Sequence, residues 1–425
     1  MDAAQTALLI VSFFTESGKA APLLYRCQRV SPLRREMELN NYMARLQLIA
    51  TSAMGLEAVV ARELKQLGYD DVKVDNGRVF FTGDYIDICR CNLWLRSSDR
   101  VLVNMGEFPA TTFDELFEGT KALPWEEWIP ANGEFPVEGR SQKSQLSSVP
   151  ASQGIVKKAI VEKLKLTHHT EWFPENGARY VVEVILLNDR ALITLDTTGP
   201  GLHKRGYRKL VTEAPLKETL AAALIQLSRW NVSRPFYDPC CGSGTMLIEA
   251  AMIGWNIAPG LRRTFNSENW DIIPAELWEQ AREEAFDAVR DDVPLQIAGS
   301  DIDPEAIEIA QAAIKSAGFA KDIEVSVLPA HRARPQGEYG VIITNPPYGE
   351  RLSEEKEVQK LLRSLGRTYL EMPTWSFFAI TSTKAFEEYF GHKADKRRKL
   401  FNGRIETQYY QYLGPLPPRN KTTQA

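Results

Sequence analysis

Two runs of this chain combine residue types that could do chemistry: Asp238-Pro239-Cys240-Cys241-Gly242-Ser243-Gly244-Thr245 and, about a hundred residues on, Asn345-Pro346-Pro347-Tyr348. Gly242 and Gly244 accept dihedrals that a side chain would forbid and let backbone amides approach a nucleotide-like cofactor, with Thr245 opening a helix behind them. Asp238 can face the amino-acid end of such a cofactor. Asp301, just past a short apolar run, can accept both hydroxyls of a ribose. Asp303 is a further candidate, although Asp before Pro304 is also an ordinary helix N-cap. In the second run the Asn345 side-chain oxygen and the Pro346 carbonyl can each accept one N–H of a planar amino group, and Tyr348 can stack on its ring. Together the runs point to methyl transfer from S-adenosyl-L-methionine to an exocyclic or amide nitrogen. Cys240 and Cys241 read as small packing residues, since no neighbouring base or metal cluster activates a thiol.

Alternating strands and helices are expected to position these groups. Phe236-Tyr237, Ile297 to Ser300 and Val341 to Thr344 read as buried strands, with helices over Leu216 to Leu227, Thr245 to Ile253 and Pro304 to Ala317. That order implies a mostly parallel, doubly wound Rossmann-like sheet, whose ligands bind beyond the carboxyl ends of the strands. Asp238, Asp301 and Asn345 all fall at such ends and should meet in one crevice. Upstream, a strand at Leu46 to Ala50, a helix at Leu56 to Leu67, a hairpin through Asn76-Gly77 and a helix at Ile86 to Leu95 suggest an α+β sandwich of the ferredoxin type. Gly139 to Gly154 is rich in Ser and Gln and reads as a loop. Ile155 to Leu166 follows as a helix carrying Lys157, Lys158, Lys163 and Lys165, and two strands flank Asn188-Asp189-Arg190. Those lysines fit a solvated face or an RNA contact. Thr197 to Lys209 joins a glycine-rich bend to Lys204, Arg205, Tyr207 and Arg208. Such a patch can hold phosphates while Tyr207 stacks on a base, or it can be a charged interdomain linker.

At 425 residues the chain can bury two or three cores, and its 44% hydrophobic and 25% charged content excludes a disordered polymer. A net charge of −4 excludes indiscriminate nucleic-acid binding, so any RNA contact must come from local basic patches. Five cysteines form neither a disulfide framework nor a zinc spacing. No metal is expected, and a reducing cytoplasm fits. Ala7 to Phe14 is too short an apolar run to span a bilayer, so no membrane association is expected. Residues 1–42 read as an extension, disordered or non-native, ahead of a start at Met43.

Further runs carry a resemblance: Leu195 to Gly199, His203 to Arg208, Ala214-Pro215-Leu216-Lys217-Glu218-Thr219-Leu220-Ala221-Ala222, Asn345 to Leu352, and Lys399-Leu400-Phe401-Asn402-Gly403. From about Met43 to near Gly414 the chain resembles the class I RNA methyltransferases with an appended THUMP domain. It is most similar to the bacterial group related to the amino-terminal half of the 23S rRNA guanine-N2 methyltransferase RlmL. The resemblance implies a ferredoxin-like domain at 43–105, a THUMP RNA-binding domain at 106–197, a linker at 198–212, a Rossmann-like methyltransferase domain at 213–414 and a tail at 415–425. It assigns Lys217 and Glu218 to the cofactor and favours RNA contact for Lys157 and Lys158. One departure is Leu328 to Arg334, which lacks the acidic residue such enzymes often use for adenine. Trp255 to Asp292, with Arg262, Arg263 and Trp270, reads as an insertion whose aromatics pack.

The implied substrate is a guanine 2-amino group in rRNA, free or in a ribosome assembly intermediate. Alternatives are a tRNA guanine, a DNA adenine, a protein glutamine, or a non-catalytic RNA-binding assembly factor. A fragment starting near Thr212 is expected to hold the cofactor by itself.

Overall fold

A computed structural model describes residues 45–208, 216–348 and 352–418. The expected extension at 1–42, the linker's last residues, Ala214-Pro215, Gly349 to Arg351 and the tail from 419 lie outside the described residues.

The front half begins with β1 (Leu46–Ser52), α1 (Glu57–Gln66), β2 (Val72–Asp75), β3 (Arg78–Gly83), α2 (Tyr85–Trp94) and β4 (Ser98–Pro109). It continues with α3 (Phe113–Lys121), α4 (Trp125–Trp128), β5 (Val137–Gln142), α5 (Val149–His168), β6 (Val181–Leu187) and β7 (Arg190–Asp196). The Asn76-Gly77 hairpin forms as expected, with Gly77 at φ 72°. All seven strands make one sheet, ordered β2-β3-β1-β4-β7-β6-β5. Long β4 pairs with β1 on one side and β7 on the other, so a boundary between 105 and 106 falls inside a shared strand. Gly139 to Gln142 belongs to β5 rather than to a loop. This edge strand alternates half-buried and exposed residues, which let its Ser and Gln content pass for a linker. Ser148 caps α5 six residues earlier than Ile155 would imply, accepting from the Ala151 amide.

The second half contains α6 (Glu218–Leu227), β8 (Phe236–Asp238), α7 (Thr245–Gly254), α8 (Ala275–Asp287), β9 (Ile297–Asp301), α9 (Pro304–Ala317) and β10 (Ile323–Val327). Then come β11 (Val341–Thr344), α10 (Leu352–Leu370), β12 (Ser376–Thr381), α11 (Phe386–Phe390), β13 (Lys396–Asn402) and β14 (Ile405–Tyr412). The sheet order is β10-β9-β8-β11-β12-β14-β13. β8 to β12 run parallel, and the β13–β14 hairpin closes the sheet antiparallel to β12. Alternate strand residues supply two cores: Phe236, Val341 and Ile343 face α6, α7 and α9, while Tyr237, Ile342 and Phe377 face α10 and α11. The chain leaves β8 to build β9 and β10 on one side and returns to build β11 and β12 on the other. That reversal opens a crevice at the carboxyl ends of β8 and β11.

The insertion between α7 and β9 packs on the front half, as expected of its aromatics. Trp270 stacks on Tyr180 at 4.8 Å, Phe265 and Trp278 join the same buried cluster, and Arg90 of α2 grips Glu284 of α8 at 2.8 Å. A fragment starting near Thr212 would bare this apolar surface to water.

Candidate active site

β8 ends in Asp238, and the chain turns through Cys240 to Gly244 into α7. Gly242 and Gly244 hold φ values of 49° and 77°. A Cβ on Gly244 would stand 3.3 Å from the Ala310 Cβ, whereas one on Gly242 would meet nothing within 4 Å, so Gly242 borders open space. Asp301 at the end of β9 accepts the Gly242 amide at 2.9 Å and the Asp303 amide at 3.1 Å, tying the glycine turn to the second strand. Asp238 is buried and accepts the Cys240 amide at 3.0 Å. Burial pushes its carboxyl up to about 7; the Cys240 amide and the Thr344 hydroxyl pull the other way, and the Asp301 charge adds to the rise. Thr344 ends β11 and precedes Asn345, so the three strand ends do meet.

Within the Asn-Pro-Pro-Tyr loop the Tyr348 hydroxyl donates to the Asn345 Oδ1 at 2.9 Å. Asn402, at the end of β13, donates its amide to the Tyr348 oxygen at 3.5 Å. Burial raises the Tyr348 phenol, which keeps it a neutral donor. Asn345 Oδ1 has a second lone pair for an incoming N–H. Pro346 is buried and Pro347 exposed, so the rigid turn is anchored on one side.

Several expected contacts are corrected. Arg205 is buried and forms a two-pronged pair with Glu249 of α7 at 3.3 and 3.4 Å; Tyr207 is buried as well and donates to the same carboxylate at 3.1 Å. Neither can touch RNA. Arg208 turns inward to the Leu216 carbonyl at 3.2 Å, to Glu218 at 3.5 Å and to the Thr245 hydroxyl. Lys157 is committed to Glu175 at 2.7 Å and lies over the Phe135 ring. The linker reading of this bend therefore prevails: it straps the front half to the helix that carries the glycine turn. Lys158 and Lys204 remain exposed. Thr245 and Glu218 lie behind the glycine turn, and Lys217 is 3.8 Å from Asp99 of β4. Asp303 caps α9, accepting from the Glu305 amide at 2.9 Å.

The residues alone did not single out Asn402 or Ile302. Ile302 follows Asp301 at the crevice with 70% of its surface exposed, and an apolar residue between two acids just after a strand is a legible signal. Among the described residues no group of His, Cys, Asp and Glu could hold a metal ion, and no helix is long and apolar enough to cross a membrane.

A glycine turn, two strand-end acids and an Asn-Pro-Pro-Tyr loop at the switch point of this sheet define a class I S-adenosylmethionine-dependent methyltransferase. Residues 47–102 match the RlmL ferredoxin-like domain, 110–196 the THUMP domain, and 205–411 the RMKL-like methyltransferase domain. The chain is 53% identical over 90% of its length to the whole of the proposed RNA methyltransferase YpsC of Bacillus subtilis strain 168. It is 34% identical over 88% of its length to about half (51%) of the ribosomal RNA large subunit methyltransferase K/L of Psychromonas ingrahamii. The chain belongs to the RlmKL family of RNA methyltransferases, and its cofactor is S-adenosyl-L-methionine. Among solved structures, a protein from Listeria monocytogenes titled a predicted N6-adenine-specific DNA methylase matches with TM-score 0.85 and 50% identity, covering 91% of this chain and 99% of that one. SMU.472, a proposed methyltransferase crystallised with SAH, matches with TM-score 0.84 and 46% identity, covering 88% and 99%.

Proposed function

We propose that the enzyme methylates the 2-amino group of a guanine in 23S rRNA, free or within an assembly intermediate, in the cytoplasm. The observation that carries this reading is the Asn345 amide oxygen held by Tyr348, whose own oxygen accepts from Asn402, on a chain whose front half is a THUMP-bearing sheet. S-adenosylmethionine, when bound, supplies an electrophilic methyl on a sulfonium. The chain must then prepare a nitrogen whose lone pair is delocalised into the purine. Asn345 Oδ1 and the Pro346 carbonyl would each accept one N–H, aiming that lone pair and stabilising the positive charge until a proton leaves. The open face at Gly242 fits a cofactor backbone, Asp301 fits the ribose, and exposed Ile302 offers the adenine an apolar face.

The Listeria relative's title favours a second reading, adenine N6 in DNA. Nucleoside analysis of rRNA, tRNA and DNA incubated with enzyme and labelled cofactor separates them. N2-methylguanosine in 23S rRNA is expected; N6-methyladenosine, or label confined to tRNA, would overturn the assignment.

Two predictions concern the cofactor. Asp301→Ala removes charge-assisted bonds worth about 1.5–3 kcal/mol, so calorimetry should record a ten- to hundredfold weaker affinity. Unchanged affinity would remove Asp301 from the ribose. Asp238 is protonated in the free enzyme below about pH 7, and a bound ammonium group would favour its carboxylate. Binding then expels a proton at lower pH. Affinity should rise with pH up to about 7, by at most about tenfold per unit, and level off above it. A pH-independent affinity would exclude Asp238 from the amino-acid end.

A further inference from the structure

Arg205, Arg208 and Lys157 are tied to carboxylates, yet another stretch of the chain is strongly basic. Between Lys384 and Arg404 there are seven Lys or Arg against three Asp or Glu, in a chain whose net charge is −4. This stretch runs into β13, the edge strand of the methyltransferase sheet, and through the turn to β14.

Beyond Lys384, which precedes the hairpin, its cations divide into two sets. Arg397 pairs with Glu387 at 3.4 Å, Lys399 with Glu406 at 2.7 Å, and Arg398 donates to the Gly55 carbonyl at 3.4 Å, so these three hold the hairpin in place. Lys393, Lys396 and Arg404 are exposed, and their side chains make no hydrogen bond or ion pair among the described residues. By contrast, Lys157, Lys163 and Lys165 on α5 are paired with Glu175, Glu126 and Glu171. β13 runs roughly 20 Å from Lys396 to Asn402. Asn402 hydrogen-bonds to Tyr348, and Arg404 lies two residues beyond it. The unpaired cations therefore line a path that ends at the catalytic loop.

Basic side chains on an edge strand also guard against strand-to-strand aggregation, and that role needs no ligand. What sets this edge apart is its contact with the loop that must receive the target base. We propose that the β13–β14 hairpin is an RNA-binding surface in which Arg404 grips a backbone phosphate next to the target nucleotide and Lys393 and Lys396 grip phosphates farther along the same strand. The proposal rests on an RNA substrate but not on which RNA or which base. Arg397, Arg398 and Lys399 keep the hairpin rigid, and Asn402 transmits its position to Tyr348.

The test is the triple variant Lys393→Glu, Lys396→Glu, Arg404→Glu in the full chain. Its affinity for a fluorescent hairpin RNA of arbitrary sequence is titrated across salt concentrations, and turnover is followed on bulk RNA from cells lacking the gene. Each lost phosphate contact should lower the slope of log affinity against log salt by about 0.7–0.9, and RNA affinity should fall roughly tenfold or more. KM for RNA should rise, while cofactor affinity and melting temperature stay unchanged. A control with Lys315→Glu and Lys321→Glu, near the opposite edge strand β10, should keep the wild-type slope.

An unaltered slope and KM in the triple variant would overturn the proposal and leave the cations as edge protection or as a surface for an acidic protein. An equal loss in the control would also overturn it, since net charge alone would then explain the effect. The nucleoside product, read in the same reactions, tests the guanine assignment separately: an adenine product would overturn that assignment and leave a lowered salt slope in support of the hairpin.

Discussion

Asn345→Ala is expected to slow methyl transfer by roughly a hundred- to a thousandfold, on the order of 2.7–4 kcal/mol, with cofactor affinity unchanged. The substitution removes a preorganised acceptor for the target amino group and leaves the glycine turn and Asp301 intact. It also strips the Tyr348 hydroxyl of its acceptor at 2.9 Å, so the ring loses its tie to the loop. The deficit belongs in kcat under saturating RNA, because the acceptor acts on charge that develops as the nitrogen attacks. Asn345→Asp should be milder, since a carboxylate can accept from both the amino group and Tyr348. Single-turnover rates with labelled cofactor, beside calorimetric cofactor affinity, check this. A rate within a fewfold of wild type would exclude Asn345 from the transition state.

Arg205→Ala should act on stability rather than on RNA affinity. Arg205 and Glu249 have side chains only 1% and 0% exposed, so truncating one abandons the other's charge in a dry junction. Breaking such a pair costs about 3–5 kcal/mol. The remaining bonds from Arg205 to the Leu202 and Arg96 carbonyls would be lost with it. Denaturant midpoints should fall, and at temperatures where the variant is folded its salt dependence of RNA binding should match wild type. A stable variant with a reduced salt slope would restore Arg205 to the RNA surface and refute its place in the junction.

Much of this enzyme was legible in its sequence because the signals are local. Apolar runs at Phe236, Ile297 and Val341 become adjacent parallel strands, and a chemical residue at the end of each run lands in the shared crevice because parallel strands end on the same side. Pro304 to Ala317 forms as expected since Asp303, Pro304 and the following Gly318 mark both ends. β5 was not legible: an edge strand with one wet face has the polar composition of a loop.

Charge was the signal that misled. The basic bend from Lys204 to Arg208 presents the same letters whether it faces solvent or a buried carboxylate, and Glu249 lies 44 residues away from Arg205 on another element. Likewise Asn402 reaches Tyr348 across 54 residues, which no local pattern announces. Sequence by itself determined the strands and helices next to the two chemical loops and the loops themselves, since hydrophobic period and turn chemistry act over a few residues. Only the tertiary structure decided which cations meet solvent and which side chain braces Tyr348, because burial and charge pairing are set by elements that fold over one another from distant parts of the chain.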